Sequence, residues 1–334
     1  MKTSSVLTHR ERMEACLSQG KLDRVPVALW RHFPVDDQTP DGLAAATAAF
    51  QRSFDFDLVK VTPASSFCLR DWGVHDEWHG DPEGTRDYST PLIHKPDDWR
   101  KLTRLDPYAG HLGDQLTCLR LLVKELGTDV PIIQTIFSPL AQAKNLVGKG
   151  NLVAHLRQYP EAVHEGLRII TENTLHFVEA TCDTGIDGVF YALQHANYDL
   201  LTEGEYSQFG QIYDLQILEP TRQLWLNMLH LHGSDVMFDL ASRYPAQILN
   251  WHDQETWPDL AEGKKRFGGV VCGGLSREDG LVLGSPVRIT GEAHDAIQET
   301  SGERFVLGTG CVTPIIAPYG NLMAARASVE NYGS

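Results

Sequence analysis

Two histidines separated by one residue, His230 and His232, have the spacing in this sequence that points most directly to chemistry. Residues two apart on a β-strand face the same side, so both imidazoles can enter one site. Cys311, at the end of the last apolar run, can add a thiolate. Two imidazoles and one thiolate, with a fourth position left open, are typical of catalytic zinc. Because the bare H-x-H motif is weak, a structural, hydrogen-bonded histidine pair is the alternative interpretation.

The ends of the other apolar runs are also polar, and several carry histidine. We interpret six of these residues as substrate-binding: Arg31, His32, Lys60, Gln194, His195 and Asn197. His252 and Asp253 are candidate catalytic residues that could orient a substrate or move protons. Asp253 could equally cap the next helix, and Arg31 could pair with a barrel acid instead of clamping a carboxylate. The simplest alternative for the whole set is that polar residues begin where strands stop.

These residues need a frame that brings them together, and the hydrophobic pattern predicts one. Eight short apolar runs alternate with segments of helical period. The runs are 26–30, 57–61, 131–137, 188–193, 228–231, 246–251, 268–271 and 305–307, and the helical segments are 42–54, 111–126, 160–180, 205–227, 258–265 and 287–299. Strands that are apolar on both faces and separated by helices indicate a parallel sheet. Eight such units predict an α/β fold, a single (β/α)8 TIM-type barrel. An open doubly wound sheet is less favoured, because no glycine-rich phosphate loop follows the first strand.

Two further features complete the predicted architecture. Thr8 and Glu11 form a capping-box pattern, which predicts an N-terminal helix that ends near Gly20. Residues 62–129 are too many for one barrel connection, so we expect a lid-like excursion there, after strand two. We treat residues 1–334 as one domain. In such a barrel the C-terminal ends of the strands carry the chemistry, which is where the candidate residues lie.

Composition limits the classes of partner. The chain has 334 residues, and 44 acidic against 29 basic side chains give a formal charge of −15. This balance argues against nucleic acid or an anionic membrane as a partner, since both require a basic surface. The six cysteines are scattered without C-x-x-C spacing, as expected of reduced thiols in a cytoplasmic protein.

The two ends of the chain resemble a known family. The opening RERMEACLSQGKLDRVPVALW is similar to the first helix and the D-R-V-P-V strand of the uroporphyrinogen decarboxylase superfamily. The segment FVLGTGCVTPIIAPYGNLMAA is similar to its last strand and closing helix, LHLHG to its H-x-C-G strand and VVCGGL to its Q-G-N-L turn. The resemblance covers nearly the whole chain and implies a (β/α)8 barrel.

Departures from the family pattern favour one branch. True decarboxylases of the superfamily carry R-Q-A-G-R after strand one, an acidic residue after strand two and a histidine in the last strand. Here Val35 replaces the second arginine, no carboxylate follows Leu58 within the strand-two run, and Cys311 replaces the histidine. The chain more closely resembles the zinc- and corrinoid-dependent methyltransferases, which use H-x-C and a distant cysteine. His232 stands in place of the middle cysteine, and zinc accepts either ligand.

The resemblance and the residues together lead to the main hypothesis. We expect a zinc-dependent methyl (alkyl) transferase with a metal-activated thiol or hydroxyl as its small-molecule substrate. A corrinoid, carried by a partner protein, is the implied methyl donor, and a homodimer is the implied assembly. The alternative is a metal-independent decarboxylase that acts on a tetrapyrrole or a smaller carboxylic acid. A third hypothesis is a non-catalytic module that binds a corrinoid or tetrapyrrole between histidines.

Overall fold

A curled parallel sheet organises the chain, whose computed structural model describes residues 6–148 and 150–330. Within these residues the sheet has seven parallel strands, which are named next in their order across the sheet. The strands are β1 (Val59–Val61), β4 (Ile132–Phe137), β5 (Gly188–Leu193), β6 (Met228–Leu231), β7 (Ile248–Trp251), β8 (Val270–Leu275) and β9 (Phe305–Thr309). A separate antiparallel hairpin pairs β2 (Asp76–Glu77) with β3 (Asp87–Tyr88). The fold is therefore of the α/β class, as predicted.

Helices connect the strands and cover the outer face of the sheet. They are α1 (His9–Ser18), α2 (Pro40–Phe54), α3 (Gly110–Leu126), α4 (Pro139–Val147), α5 (Leu152–Gln158), α6 (Pro160–Cys182), α7 (Glu203–Tyr206), α8 (Ile212–Leu218), α9 (Phe238–Ala241), α10 (Leu260–Arg266), α11 (Pro286–Thr300) and α12 (Tyr319–Ser328). Among the described residues, no helix is both long and apolar enough to cross a membrane.

The segment predicted as the first strand does not form a regular strand. Residues 26–30 make an isolated parallel bridge, Val27 to Leu307, instead of a regular strand. Leu307 accepts from the Ala28 amide at 2.9 Å, and on the other side Val27 accepts from the Asp57 amide at 2.8 Å. The segment therefore lies between β9 and the residues that precede β1, but its ladder is too short to count as an eighth strand. The described residues therefore give seven regular strands and this bridged segment in place of the eight predicted strands.

The predicted helix over residues 205–227 is also wrong in part. A π-helical turn over Ser207–Gln211 separates α7 from α8, and Pro220 opens a short 3-10 turn. Proline lacks the amide proton that would continue the α-helix, so the helical segment ends there. The helix α4 was not predicted, although Ser138 caps it by accepting from the Ala141 amide and Pro139 occupies its first turn.

A buried ion cluster fixes the end of the sheet from which the strands start. The capping box of Thr8 and Glu11 forms as predicted and begins α1. From α1, Arg12 reaches the fully buried carboxylate of Asp57 at 2.7 Å. Arg24 reaches the other oxygen of Asp57 at 2.6 Å, and the Val27 amide donates to it at 2.8 Å. One carboxylate thus joins α1, residues 24–27 and the start of β1.

Residues 62–129 contain two different kinds of structure. The last part is α3, which packs against α2 as an ordinary covering helix. The earlier part includes the β2–β3 hairpin, whose connecting loop crosses the C-terminal ends of the strands. There the Pro82 carbonyl accepts from the Ile315 amide at 2.7 Å, and Arg86 donates to the Pro34 carbonyl. The excursion beyond the helical layer therefore ends before Gly110.

Candidate metal centre

Four side chains meet at the C-terminal ends of three strands. His230 lies in β6 and His232 just after it, His252 follows β7, and Cys311 follows β9. One ligand atom from each lies within 4.8 Å of the others. His230, His252 and Cys311 are buried, and His232 is partly exposed. The three residues predicted from sequence as metal ligands come together, and His252 is added to them.

The sheet register orients His230. In the β6–β7 ladder His230 lies opposite Asn250. The Asn250 amide nitrogen donates to the carbonyls of Cys272 and Thr309, both at 2.9 Å, so its oxygen must face His230. Nδ1 of His230 lies 2.7 Å from that oxygen and therefore carries the proton. Nε2 is left as the lone-pair nitrogen, and it is buried without a well-formed hydrogen bond among the described residues.

Glu255 orients His252 in the same manner. One carboxylate oxygen of Glu255 lies 2.9 Å from Nδ1 of His252, in the turn that follows β7. Nε2 of His252 is thereby the nitrogen free for a metal, and it too is buried without a well-formed hydrogen bond in the described part of the chain. Burial alone would lower the pKa of His252, but its interactions with Cys311 and Glu255 raise the pKa to about 10. A metal ion at Nε2 would therefore have to displace a proton from this ring.

Cys311 is the anionic member of the cluster. Burial alone would raise the pKa of its thiol, but the charge of His230 and contacts with His232 and His252 hold the pKa well below its usual value. Its sulfur lies 3.7 Å from Nδ1 of His232. A thiolate among imidazoles whose free nitrogens have no other partner is the donor set that zinc prefers. The residues present therefore fit a zinc ion.

A cavity of about 570 Å³ opens beside the cluster. His230, His232 and Cys311 form one wall. Lys60 belongs to another wall, with Nζ 3.2 Å from the Thr62 hydroxyl and 4.5 Å from the centre of the Phe190 ring. Burial lowers the pKa of Lys60 to about 7. Since Phe190 also stacks on His230, with ring centres 5.1 Å apart, one aromatic ring separates the lysine from the cluster.

Three of the predicted substrate-binding residues besides Lys60 have clear positions relative to this cavity. His32 and Gln194 line it, and Lys144 in α4, which sequence reasoning missed, donates to Gln194 at 3.1 Å. Arg31 does not line it. Its guanidinium instead donates to the Ile315 carbonyl at 3.2 Å and packs over Phe33. Because side chains alternate along extended chain, Arg31 points away where its neighbours Trp30 and His32 point in.

The remaining predicted residues do not line the described cavity either. His195 is buried but does not line the cavity. It directly follows Gln194, so its side chain points to the opposite side of the chain. Asn197 accepts from the Leu200 amide at 3.1 Å, which is a turn-forming contact. Asp253 accepts from the Gly274 amide at 2.9 Å, so it neither caps a helix nor faces the cavity. Burial raises the pKa of Asp253 to about 6.

Two known enzymes are similar to this chain in sequence. The chain is 25% identical over 221 residues to the methylcobamide:CoM methyltransferase MtaA of Methanosarcina barkeri, covering 65% of this chain and 63% of that protein. It is 21% identical over 215 residues to the chloroplastic uroporphyrinogen decarboxylase 2 of Arabidopsis thaliana, covering 61% of this chain and 51% of that one. The chain thus spans between half and two thirds of the length of these relatives, which are enzymes of two kinds.

Solved structures agree on the fold. A methyltransferase from Methanosarcina mazei superposes with a TM-score of 0.83 at 17% identity, over 96% of this chain and 98% of that one. A B12-independent methionine synthase from Shewanella gives a TM-score of 0.57 at 12% identity, over 90% and 92%. The family profile described as uroporphyrinogen decarboxylase (URO-D) matches residues 8–332, nearly the whole sequence. The chain therefore belongs to the uroporphyrinogen decarboxylase family.

Proposed function

We propose that this chain is a zinc-dependent methyl (alkyl) transferase that acts on a small thiol or hydroxyl compound. The observation that carries the proposal is the meeting of four ligand side chains within 4.8 Å, three of which line a cavity: His230, His232 and Cys311, with His252 behind them. We infer that these four residues hold the ion and that one of them would yield its position to the substrate, because catalytic zinc keeps three protein ligands and an open fourth position. The similarity to a methylcobamide:CoM methyltransferase supports the reaction class.

Each side chain of the site has a distinct part in this proposal. A zinc ion bound here supplies a Lewis acid that lowers the pKa of a thiol or hydroxyl group. Asn250 and Glu255 hold the imidazoles of His230 and His252 in the orientation that presents Nε2. Lys60 lines the same cavity as His230, His232 and Cys311, so a substrate bound at the cluster could extend towards that ammonium group.

The charge of Lys60 indicates what the far end of the substrate carries. Lys60 is 6% exposed, and the only hydrogen bond that the described residues offer its Nζ is to the neutral Thr62 hydroxyl. Burial lowers the pKa of Lys60 to about 7, against the opposing effect of Cys311, and an anionic group on the substrate would raise this pKa again by stabilising the ammonium form. We therefore assign the acid-binding role, predicted for Arg31, to Lys60, with the hydrogen-bonded pair Lys144 and Gln194 in the lining of the same cavity.

The methyl donor is part of the proposal. The name of the Methanosarcina barkeri relative specifies a methylcobamide donor, so we propose a corrinoid carried by a partner protein.

We also propose that residues 26–30, although they form only one bridge, take the place of the eighth strand and close a (β/α)8 barrel. Their bonds to Leu307 on one side and to Asp57 on the other support this closure.

Metal-independent decarboxylation is the second candidate. It is favoured by the buried pair His32 and Lys60 on one cavity wall, which could bind a carboxylate and return a proton. Relatives in this family include uroporphyrinogen decarboxylases. This reaction would tolerate chelators, whereas the transferase would not.

Elemental analysis of the purified protein tests the choice. We expect about one zinc per chain in the wild type, as in other sites of this donor set, and its loss in Cys311→Ser. Cys68→Ser is the matched control, since Cys68 is a partly buried cysteine outside the cluster. A wild type that stays metal-free after reconstitution with zinc would overturn the transferase proposal and favour the decarboxylase.

A further inference from the structure

One buried arginine touches both loops that carry His252 and Cys311. Arg277 opens the π-helical turn over Arg277–Val282 that follows β8, and it is only 6% exposed. Its Nε donates to the Val312 carbonyl at 3.0 Å, directly beside Cys311 in the chain. Its Nη1 lies 3.9 Å from Oε1 of Glu255. The other carboxylate oxygen of Glu255 is the one that holds His252.

The same guanidinium also reaches the loop that crosses the cavity. Nη2 of Arg277 forms an ion pair with Glu83, a cavity-lining residue between β2 and β3. The backbone of this loop lies close to the cavity wall at Gly84, where a Cβ would come within 2.6 Å of the His32 side chain. A continuous series of contacts therefore runs from the cavity loop through Arg277 and Glu255 to His252.

The charges in this series are shared, which makes the contacts interdependent. Arginine keeps its charge and offers a rigid fork of donors, so one guanidinium can bind two carboxylates at once. Here the closer carboxylate is that of Glu83, and Glu255 lies at the edge of ion-pair distance. If Glu83 withdraws, the guanidinium is left with Glu255 as its carboxylate partner. The pull on Glu255 then competes with its hydrogen bond to His252.

We propose that Arg277 is a positioning residue that couples the docking of the 82–84 loop to the hold of His252 on the metal. With the loop docked, Glu83 engages Arg277 and Glu255 is free to orient the imidazole. With the loop open, Arg277 draws Glu255 away and His252 becomes a weaker ligand. Opening of the cavity thus coincides with loosening of one ligand. The inference rests on the proposed metal function, and it adds a residue that contacts none of the four ligand side chains.

Metal affinity in full-length variants, measured by competition with a chelator, tests the coupling. Glu255→Gln removes the direct support of His252, and we expect its affinity for zinc to fall about 10- to 100-fold, as is typical when a metal ligand loses its hydrogen-bond partner. Glu83→Gln leaves the cluster untouched, yet we expect a smaller fall of about 3- to 10-fold. Glu77→Gln is the matched control, because Glu77 lies in the same hairpin, its side chain is exposed, and that side chain pairs with His79 and not with Arg277.

A second readout separates coupling from a general loss of stability. Binding linkage is reciprocal, so zinc should slow proteolysis of the 78–86 loop in the wild type and in Glu77→Gln, but much less in Glu83→Gln. If Glu83→Gln binds zinc as tightly as Glu77→Gln while Glu255→Gln is weakened, the coupling is overturned and the metal function stands. If the wild type itself binds no zinc, the metal function fails and this inference fails with it.

Discussion

The side-chain oxygen of Asn250 accepts the Nδ1 proton of His230 across 2.7 Å, and two main-chain carbonyls hold the Asn250 amide so that it cannot turn over. This relationship decides which nitrogen of His230 can bind a metal. It is made inside the sheet, between β6 and β7, so it does not depend on mobile loops. The fold thus fixes the tautomer of His230 that leaves Nε2 as the lone-pair nitrogen.

Replacement of Asn250 should therefore affect metal binding. Asn250→Leu keeps the side-chain volume but removes both the acceptor for His230 and the donors to the carbonyls. We expect the affinity for zinc to fall about 10- to 100-fold. Chelator competition measures the loss, and circular dichroism of the metal-free variant reports whether the sheet is intact. An intact variant with wild-type affinity would show that His230 needs no such partner.

Restoring the cysteine of the family pattern should change the electronic character of the site. In His232→Cys the donor set contains two thiolates in place of one. With Co²⁺ in place of zinc, the thiolate-to-metal absorption should become about twice as intense, because it grows with the number of sulfur ligands. Cys272→Ala is a control that alters a buried cysteine outside the cluster. An unchanged spectrum would place residue 232 outside the coordination sphere.

Loss of the Lys60 charge should weaken binding of acidic substrates selectively. For Lys60→Met we expect the Kd of mercaptopropionate to rise about 10- to 100-fold, since hydrogen bonds to charged groups are worth about 1.5–3 kcal/mol. The Kd of propanethiol, which has no acid group, should stay the same. Lys265→Met, at an exposed lysine in α10, should alter neither value. Equal weakening of both thiols would contradict the proposed role of the ammonium group.

The ion cluster around Asp57 should dominate acid stability. Burial opposes its ionisation, but His9, Arg24 and Arg12 hold the pKa of this carboxyl well below its usual value. A lowered pKa stabilises the fold fully above the unfolded value of about 3.9, and this contribution is lost as the pH falls below it. Asp57→Asn should therefore reduce the free energy of unfolding by about 3 kcal/mol at pH 7. Urea titrations should show the difference from wild type narrowing below about pH 4.

The strand pattern was readily predicted because buried parallel strands are apolar throughout. The predicted runs 188–193 and 228–231 match β5 and β6 residue for residue. The first run misled, because residues 26–30 are as apolar as the others although their pairing is limited to one bridge. The hydrophobic pattern indicates which residues are buried. The extent of hydrogen-bonded pairing depends on neighbouring strands, which the local sequence does not specify.

The residues of the site could be predicted where side chains alternate along a strand, but not where a turn sets the position of a side chain. His230 and His232 share a phase and reach the same cluster, and the same rule explains why Arg31 and His195 turn away from the cavity. His252 was predicted as a catalytic residue, but its place among the ligand side chains depends on the turn after β7, where Glu255 orients its imidazole. Arg277 joins residues far apart in sequence, so no local signal could have indicated it.

Asp57 and Lys60 lie close together in the chain but belong to different sites. Asp57 lies in the ion cluster where the strands start, and Lys60 lines the cavity at their C-terminal ends. Only two residues, Leu58 and Val59, thus separate the group that secures the fold from a group assigned to substrate binding. Changes at the cavity end leave the anchoring carboxylate untouched. New substrate preferences can therefore arise by exchange of residues such as Lys60 while the scaffold stays foldable, which gives relatives with different reactions a common starting point.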